Sequence, residues 1–474
     1  MASEDFKRVL NELIIRFLPF ADAATPDLPL PRLLRLSLFQ VSVGMAIVLL
    51  NGTLNRVMVV ELGMPVWLVS LMIALPLVFA PLRAIIGFRS DYHRSAFGLR
   101  RVPYIWMGTL LQFGGFAFMP FALLLLSDSS NDLAILGYAA AAVAFLLVGA
   151  GLHTTQTAGL ALATDLAPVD KRPRVVALLY VTLLLGMVIS AVIFGNLLTN
   201  FSQMRLIQVI QAAAVLSVIF NFTALWRQEA IDMQRATTRI IRPPFAETWQ
   251  TFIQDQFAFR LLIVVGLGTA AFSMQDILLE PYGGQVLGLS VAQTTALTAI
   301  WATGTLVAFT LSGVLLTRGW DANRMAGVGA ALGLIAFSAV ITAGILHEAW
   351  IFRVGTALIG FGGGLFAVGT LTTAMSLAED GHSGLALGAW GAVQATAAGG
   401  AILIGGTIRD VLSGAANAGW FGAGAVNPAL GYNVVYSIEI VMLVATLIVA
   451  LPLLLGKQRL RAHSDKPFGI AEML

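Results

Sequence analysis

RQEAIDMQRATTRIIRPPFAETWQTFIQDQFAFR, residues 227–260, is the longest polar stretch of the chain and carries Pro243 and Pro244. Before it lies an apolar block over 36–226, and after it one of nearly equal extent over 261–456. The first block breaks into apolar stretches at 36–55, 66–88, 104–126, 133–163, 174–197 and 205–226; the second into 261–280, 292–316, 325–346, 351–377, 385–408 and 432–456. A bilayer-spanning helix needs about 20 predominantly apolar residues. The pattern therefore predicts an all-α polytopic membrane protein of twelve transmembrane helices in two six-helix halves. Residues 227–260 form the linker between the halves and 457–474 a polar tail.

Composition agrees. The 474 residues are 58% hydrophobic and 11% charged, against about 45–50% and about 25% in a soluble domain, which excludes a soluble globular enzyme and a single-pass receptor. The 47 Gly sit inside apolar runs, as expected where small residues let helices approach closely in lipid. With no Cys in the chain, disulfides, thiolate metal sites and Cys nucleophiles are excluded. With the N-terminus inside, only Arg56, Arg205, Arg353 and Arg409 of the 28 Lys and Arg fall on the outer side. The positive-inside rule then puts both termini in the cytoplasm, and a bacterial inner membrane is the expected location.

Residues 1–35 read as an interfacial helix followed by a Pro-rich lead-in. Phe6, Val9, Leu10, Leu13, Ile14, Phe17 and Leu18 recur at helical spacing opposite Lys7, Arg8, Asn11, Glu12 and Arg16, the pattern of an amphipathic helix lying on a membrane. The Arg16 interruption and the lack of a small-residue cleavage site argue against a cleaved signal. Packing under the bundle and docking of a partner are both open for this helix.

Two six-helix halves on a linker resemble the plan of the major facilitator superfamily, whose halves are related by an axis along the membrane normal. A weak internal echo fits: GFRSDYHRSAFGLRR (87–101) follows span two, and GVLLTRGWDANR (313–324), with Asp321 and Arg324, follows span eight. The first loop resembles the superfamily signature in Gly87, Asp91, Arg94, Gly98, Arg100 and Arg101, although no basic residue directly follows Asp91. Such charges on a short loop can clamp helix ends by charge-assisted hydrogen bonds; a fixed clamp and a moving gate are both open.

Four longer strings, NRVMVVELGMP (55–65), RSDYHRSAFGLRRVPYIW (89–106), GLHTTQTAGLALATDLAP (151–168) and GTAAFSMQDILLEPYGG (268–284), resemble the light-harvesting assembly family of purple bacteria, the PucC/LhaA or bacteriochlorophyll-delivery group. The resemblance runs from Leu33 to Leu455. It implies an assembly factor for antenna α and β polypeptides in the photosynthetic membrane, with bacteriochlorophyll as transient cargo and contacts to reaction-centre or pigment-synthesis proteins. The long C-terminal tail and the amphipathic N-terminus favour the core-antenna type, serving LH1, over the peripheral-antenna type. A proton-coupled transporter or flippase of a small amphiphile or isoprenoid is the rival reading.

Span seven carries the most chemistry. Thr269, Ser273, Asp276 and Glu280 fall at i, i+4, i+7 and i+11, one face of a regular helix. An acid inside the bilayer is costly unless neutral, paired or wet, and so marks function by default. A pigment-binding polar cavity, proton coupling, and a structural ion pair between Asp276 and Arg56 of span one are the three readings; the ion pair is the one expected. In span four His153, Gln156 and Thr157 cluster. His153 is the sole intramembrane His and so the one candidate axial ligand for a pigment magnesium, against an ordinary interhelical hydrogen-bonding role. Gly360 with Gly364, and Gly384 with Gly388, are small-xxx-small faces suited to helix packing. Trp420 and Phe421 suit an outer interfacial anchor. No nucleotide-binding loop, zinc-protease, nucleophile-elbow or nucleic-acid motif occurs. Neither an enzyme, a resident metal ion nor a nucleic-acid partner is expected.

Overall fold

The computed structural model describes residues 23–25, 28–78, 99, 101–127, 131–168, 172–229, 254–376, 383–418, 420 and 428–455. Among these there are twelve long helices and no strand. They are α1 (Leu30–Glu61), α2 (Val66–Val78), α3 (Val102–Ser127), α4 (Asn131–Leu166), α5 (Arg172–Leu197) and α6 (Gln203–Leu225), then α7 (Gln256–Gln285), α8 (Val291–Thr317), α9 (Ala322–Leu346), α10 (Ala349–Ser376), α11 (Ser383–Asn417) and α12 (Ala429–Leu455). Eleven are long and apolar enough to cross a membrane; the twelfth, α2, is described only to Val78. The expected amphipathic segment at 1–20, most of the linker, the tail beyond 455, Phe421, and Gly87, Asp91, Arg94, Gly98 and Arg100 lie outside the described residues.

The helices turn large apolar side chains outward, including Leu110, Phe121 and Ile135. Where lipid is as apolar as the side chains, helices associate through close packing and hydrogen bonds rather than water exclusion. At the α9–α10 crossing a Cβ on Gly362 would lie 2.8 Å from the carbonyl oxygen of Gly329, so the two backbones touch there. Gly364 faces α8, where an added Cβ would meet the Ala308 methyl at 2.7 Å, and Gly360 lies against the Trp301 backbone one turn away. Gly384 and Gly388 fall in the first turns of α11. Helix starts are capped from the sequence: Ser202 caps α6, Ser290 and Gln293 form a capping box on α8, and Asp321 caps α9. Such caps satisfy backbone N–H groups that have no partner within the helix.

The first helix of each half departs from regular geometry near the same end of the bundle. Helix α1 widens into π-helical turns over Val48–Leu54 and Val57–Glu61. Helix α7 tightens into a 3-10 segment over Met274–Ile277 before resuming at Leu279–Gln285. Each then enters a short loop turning on a glycine in the left-handed region, Gly63 (φ 64°) in Leu62-Gly63-Met64 and Gly288 (φ 64°) in Leu287-Gly288-Leu289. A Cβ is strained at such φ. The two halves thus repeat the same Leu-Gly turn after their first helix.

Candidate functional site

Four side-chain hydrogen bonds join the halves at the end bearing the 62–65 and 286–290 loops, away from the linker. Thr53 on α1 bonds Thr295 on α8 (3.3 Å), the Asn55 amide donates to the Ile277 carbonyl (3.0 Å), and Arg56 donates to the Leu289 carbonyl (3.2 Å). The fourth is electrostatic as well. Asp410 on α11 accepts from the backbone N–H of Trp67 at the start of α2 (2.7 Å), a carboxylate on the positive end of a helix dipole supplied from the other half. Arg409 holds Asp410 (2.7 Å), donates to Gln285 (2.6 Å) and stacks over the Tyr432 ring. Tyr432 donates to the same Gln285 oxygen (2.8 Å). Together these contacts close this end of the molecule.

Just beneath the seal lies a cavity of about 80 Å³. Its polar wall is Asn51 from α1, Gln275, Asp276 and Glu280 from α7, and Thr298 from α8; Ile47, Met187 and Trp301 supply apolar wall. Two of the seven residues singled out in spans four and seven, Asp276 and Glu280, therefore meet at one site between the halves. The 3-10 segment changes the face they share: Thr269 and Ser273 are buried among helices and do not line the cavity. His153, Gln156 and Thr157 are on α4, elsewhere in the first half, where Gln156 donates to Gln40 at 3.5 Å. Next to Asn51 lies Gly52, where an added Cβ would meet Thr298 Oγ1 at 2.8 Å and Glu280 Oε1 at 3.3 Å. Only a residue without a side chain lets α1 approach the Glu280 carboxyl this closely.

The expected Asp276–Arg56 ion pair is not formed. Arg56 pairs with Glu61 on its own helix, and its guanidinium continues to the Leu289 carbonyl. Asp276 instead accepts from the neighbouring Gln275 amide. The expectation treated α1 and α7 as regular helices; the π turns bring Glu61 to Arg56, and the 3-10 turn sets Asp276 toward the cavity. Sequence reasoning also missed Glu439. It is fully buried on α12, next to the Gln275 backbone N–H and close enough to Asp276 to interact with it electrostatically. Its signal was present: a single acid in the apolar run Ser437-Ile438-Glu439-Ile440-Val441. Tyr436, one turn before it, and Tyr282 pack edge to face beside it.

At the linker end a second cluster ties the first half together. Arg101, the one described member of the signature loop, donates from its side chain to Asp165 at the end of α4 (3.0 Å), and its backbone N–H meets Glu229 beyond α6 (2.9 Å). Arg32 chelates Gln228 through its side-chain and backbone oxygens (3.0 and 2.9 Å). This is clamp geometry within one half. Asp321 and Arg324, the counterparts in the second half, make a different contact: the Asp321 carboxyl accepts from the Arg324 backbone N–H (2.9 Å) and caps α9.

The architecture matches solved transporters. A mutant form of the nucleoside transporter NupG superposes with a TM-score of 0.68 at 10% identity, over 89% of this chain and 99% of that one. A bacterial homologue of the iron transporter ferroportin, in an inward-facing state, gives 0.63 at 14% over 89% and 98%. These likenesses establish a major-facilitator fold. In sequence, Protein PucC of Rhodovulum sulfidophilum is 57% identical over 403 residues, 84% of this chain and 89% of the relative. A protein from the puhA–bchM intergenic region of Rhodobacter capsulatus is 54% identical over 449 residues, 94% of each. The family described as PUCC protein matches residues 53–458, which takes in the last turns of α1, the contacts of the seal and the α7 and α8 walls of the cavity, and on this the chain belongs to the PucC family, built on the major-facilitator fold.

Proposed function

We propose that the protein is an assembly factor for the light-harvesting antenna of a purple bacterium, a non-enzymatic scaffold in the photosynthetic inner membrane with both termini cytoplasmic. The observation that carries this reading is the family match over 53–458, within which the described parts of the four long strings meet in pairs. Residues 55–65 and 268–284 meet across the halves through Asn55 and Ile277, and residues 101–106 and 151–168 meet through Arg101 and Asp165. The strings that define the resemblance thus build the seal and the clamp.

The clients in this reading are the antenna α and β polypeptides, with the core antenna favoured by the long tail and the amphipathic N-terminal segment. Bacteriochlorophyll is cargo. Pockets for drug-sized molecules measure about 300–1,000 Å³, so a cavity of about 80 Å³ does not hold a pigment in this conformation. Pigment and antenna helices would be handled on the lipid-facing surface, with His153 on α4 the candidate magnesium ligand. Deleting the gene in a phototrophic host should lower core-antenna absorbance while pigment synthesis continues. Antenna at normal levels in that strain would refute the assembly role.

A second reading draws support from the cavity itself. Discontinuous helices meeting near a polar cavity between two halves are how transporters of related architecture place their sites. On this reading Asp276 and Glu280 serve a transport cycle for a small amphiphile.

A further inference from the structure

The polar groups around the cavity leave a one-sided hydrogen-bond account. Gln275 directs its amide N–H groups to the Phe272 carbonyl (3.2 Å) and to Asp276, which leaves its Oε1 without a partner. Thr298 donates its hydroxyl proton to Glu280 Oε1, and Glu280 Oε2 has no partner. Both side chains are more than nine-tenths buried. Behind them Glu439 is fully buried, next to Asp276 and the Gln275 backbone N–H. Of the residues that line the cavity, the two with orphaned atoms, Gln275 and Glu280, both offer acceptors.

The charges are equally one-sided. Asp276 and Glu280 line the cavity and Glu439 lies close to Asp276, while the nearest cation, Arg56, acts on Glu280 from a distance and is itself paired with Glu61 and the Leu289 carbonyl. Buried carboxylates without a counter-charge cost several kcal/mol each. Moreover, the first segment of α7 ends at Ser273, so the negative end of its dipole points at the break beside these acids. Each feature calls for a positive occupant.

Size and geometry narrow its class. About 80 Å³ is room for an ion with a few waters and less than a drug-sized molecule fills. No group of three or more acidic or His side chains among the described residues is arranged to hold a metal ion, whereas calcium takes 6–8 oxygens and magnesium a near-ideal octahedron. We propose that this cavity binds a small monovalent cation through the Asp276 and Glu280 carboxylates and the Gln275 carbonyl oxygen, with Glu439 supplying a further negative charge. The site is independent of which client the protein assembles.

The test uses the full-length protein purified in mild detergent. Its unfolding midpoint is followed in sodium chloride and potassium chloride titrations against N-methylglucamine chloride at constant ionic strength and pH, alongside equilibrium binding of radioactive sodium to the wild type. The expected result is a saturable rise of a few degrees with one alkali cation and none with N-methylglucamine. That rise should vanish in Asp276→Asn and persist in Asp321→Asn, which alters only the α9 cap. Equal midpoints in every salt, or a rise that survives Asp276→Asn, would overturn the site. So would a midpoint that depends on pH alone and equally in all salts, which would assign the neutralising charge to a shared proton. Binding to the wild type keeps the test decisive if Asp276→Asn does not fold.

Discussion

Arg56 shows how one residue can be read two ways. From its place in the chain it is a stray positive charge on the outer side, available to an acid on the facing helix. In the folded protein its side chain is 6% exposed and its pairing partner, Glu61, is 36% exposed, so the pair is half-wet and its Coulomb gain is discounted by solvent. A double-mutant cycle on Arg56→Gln and Glu61→Gln should report a coupling of about 1 kcal/mol. The same cycle on Arg56→Gln and Asp276→Asn should report close to zero. Thermal unfolding of the four proteins of each cycle measures both, and a larger coupling to Asp276 than to Glu61 would contradict the pairing seen here.

At the scale of elements, the sequence was most legible where periodicity and length speak. Each of the twelve apolar stretches coincides with a helix among the described residues. It was least legible inside α1 and α7, because a π turn or a 3-10 turn leaves no trace in an apolar pattern read at 3.6 residues per turn. That is why Asp276 and Glu280 could be singled out by cost alone, while the grouping with Thr269 and Ser273 and the pairing with Arg56 failed. Glu439 went unread for another reason: one acid hardly lowers the hydropathy of a 27-residue helix. The α7 break itself makes a prediction. Gln275 donates to the Phe272 carbonyl, one of the groups exposed where the α-helical ladder ends. Replacing it with Leu should cost about 1–3 kcal/mol by leaving that buried carbonyl unsatisfied. An unchanged unfolding midpoint for Gln275→Leu would show that the 3-10 turn is held by its neighbours instead.

At the scale of the whole molecule, the two readings of function differ in whether the halves must separate at the sealed end. Asn55, Arg56, Asp410 and their partners hold that end shut; a transport cycle has to break these contacts, whereas a scaffold working through its outer surface can leave them in place. Because the chain has no cysteine of its own, the question can be put with a single engineered pair. A Cβ on Gly284 of α7 would lie 3.1 Å from Val60 Cγ2 of α1, a spacing compatible with the short Cβ separation a disulfide requires. Val60→Cys with Gly284→Cys should therefore form a bond across the halves under oxidising conditions. With the scaffold reading, phototrophic cells carrying the locked protein should accumulate core antenna as fully as cells carrying either single variant, the crosslink being verified by its shift on a non-reducing gel. Antenna lost in the double variant alone, and regained when reductant opens the crosslink, would mean that assembly depends on alternating access, and would move Asp276 and Glu280 from a buried structural cluster to the working centre of a transport cycle.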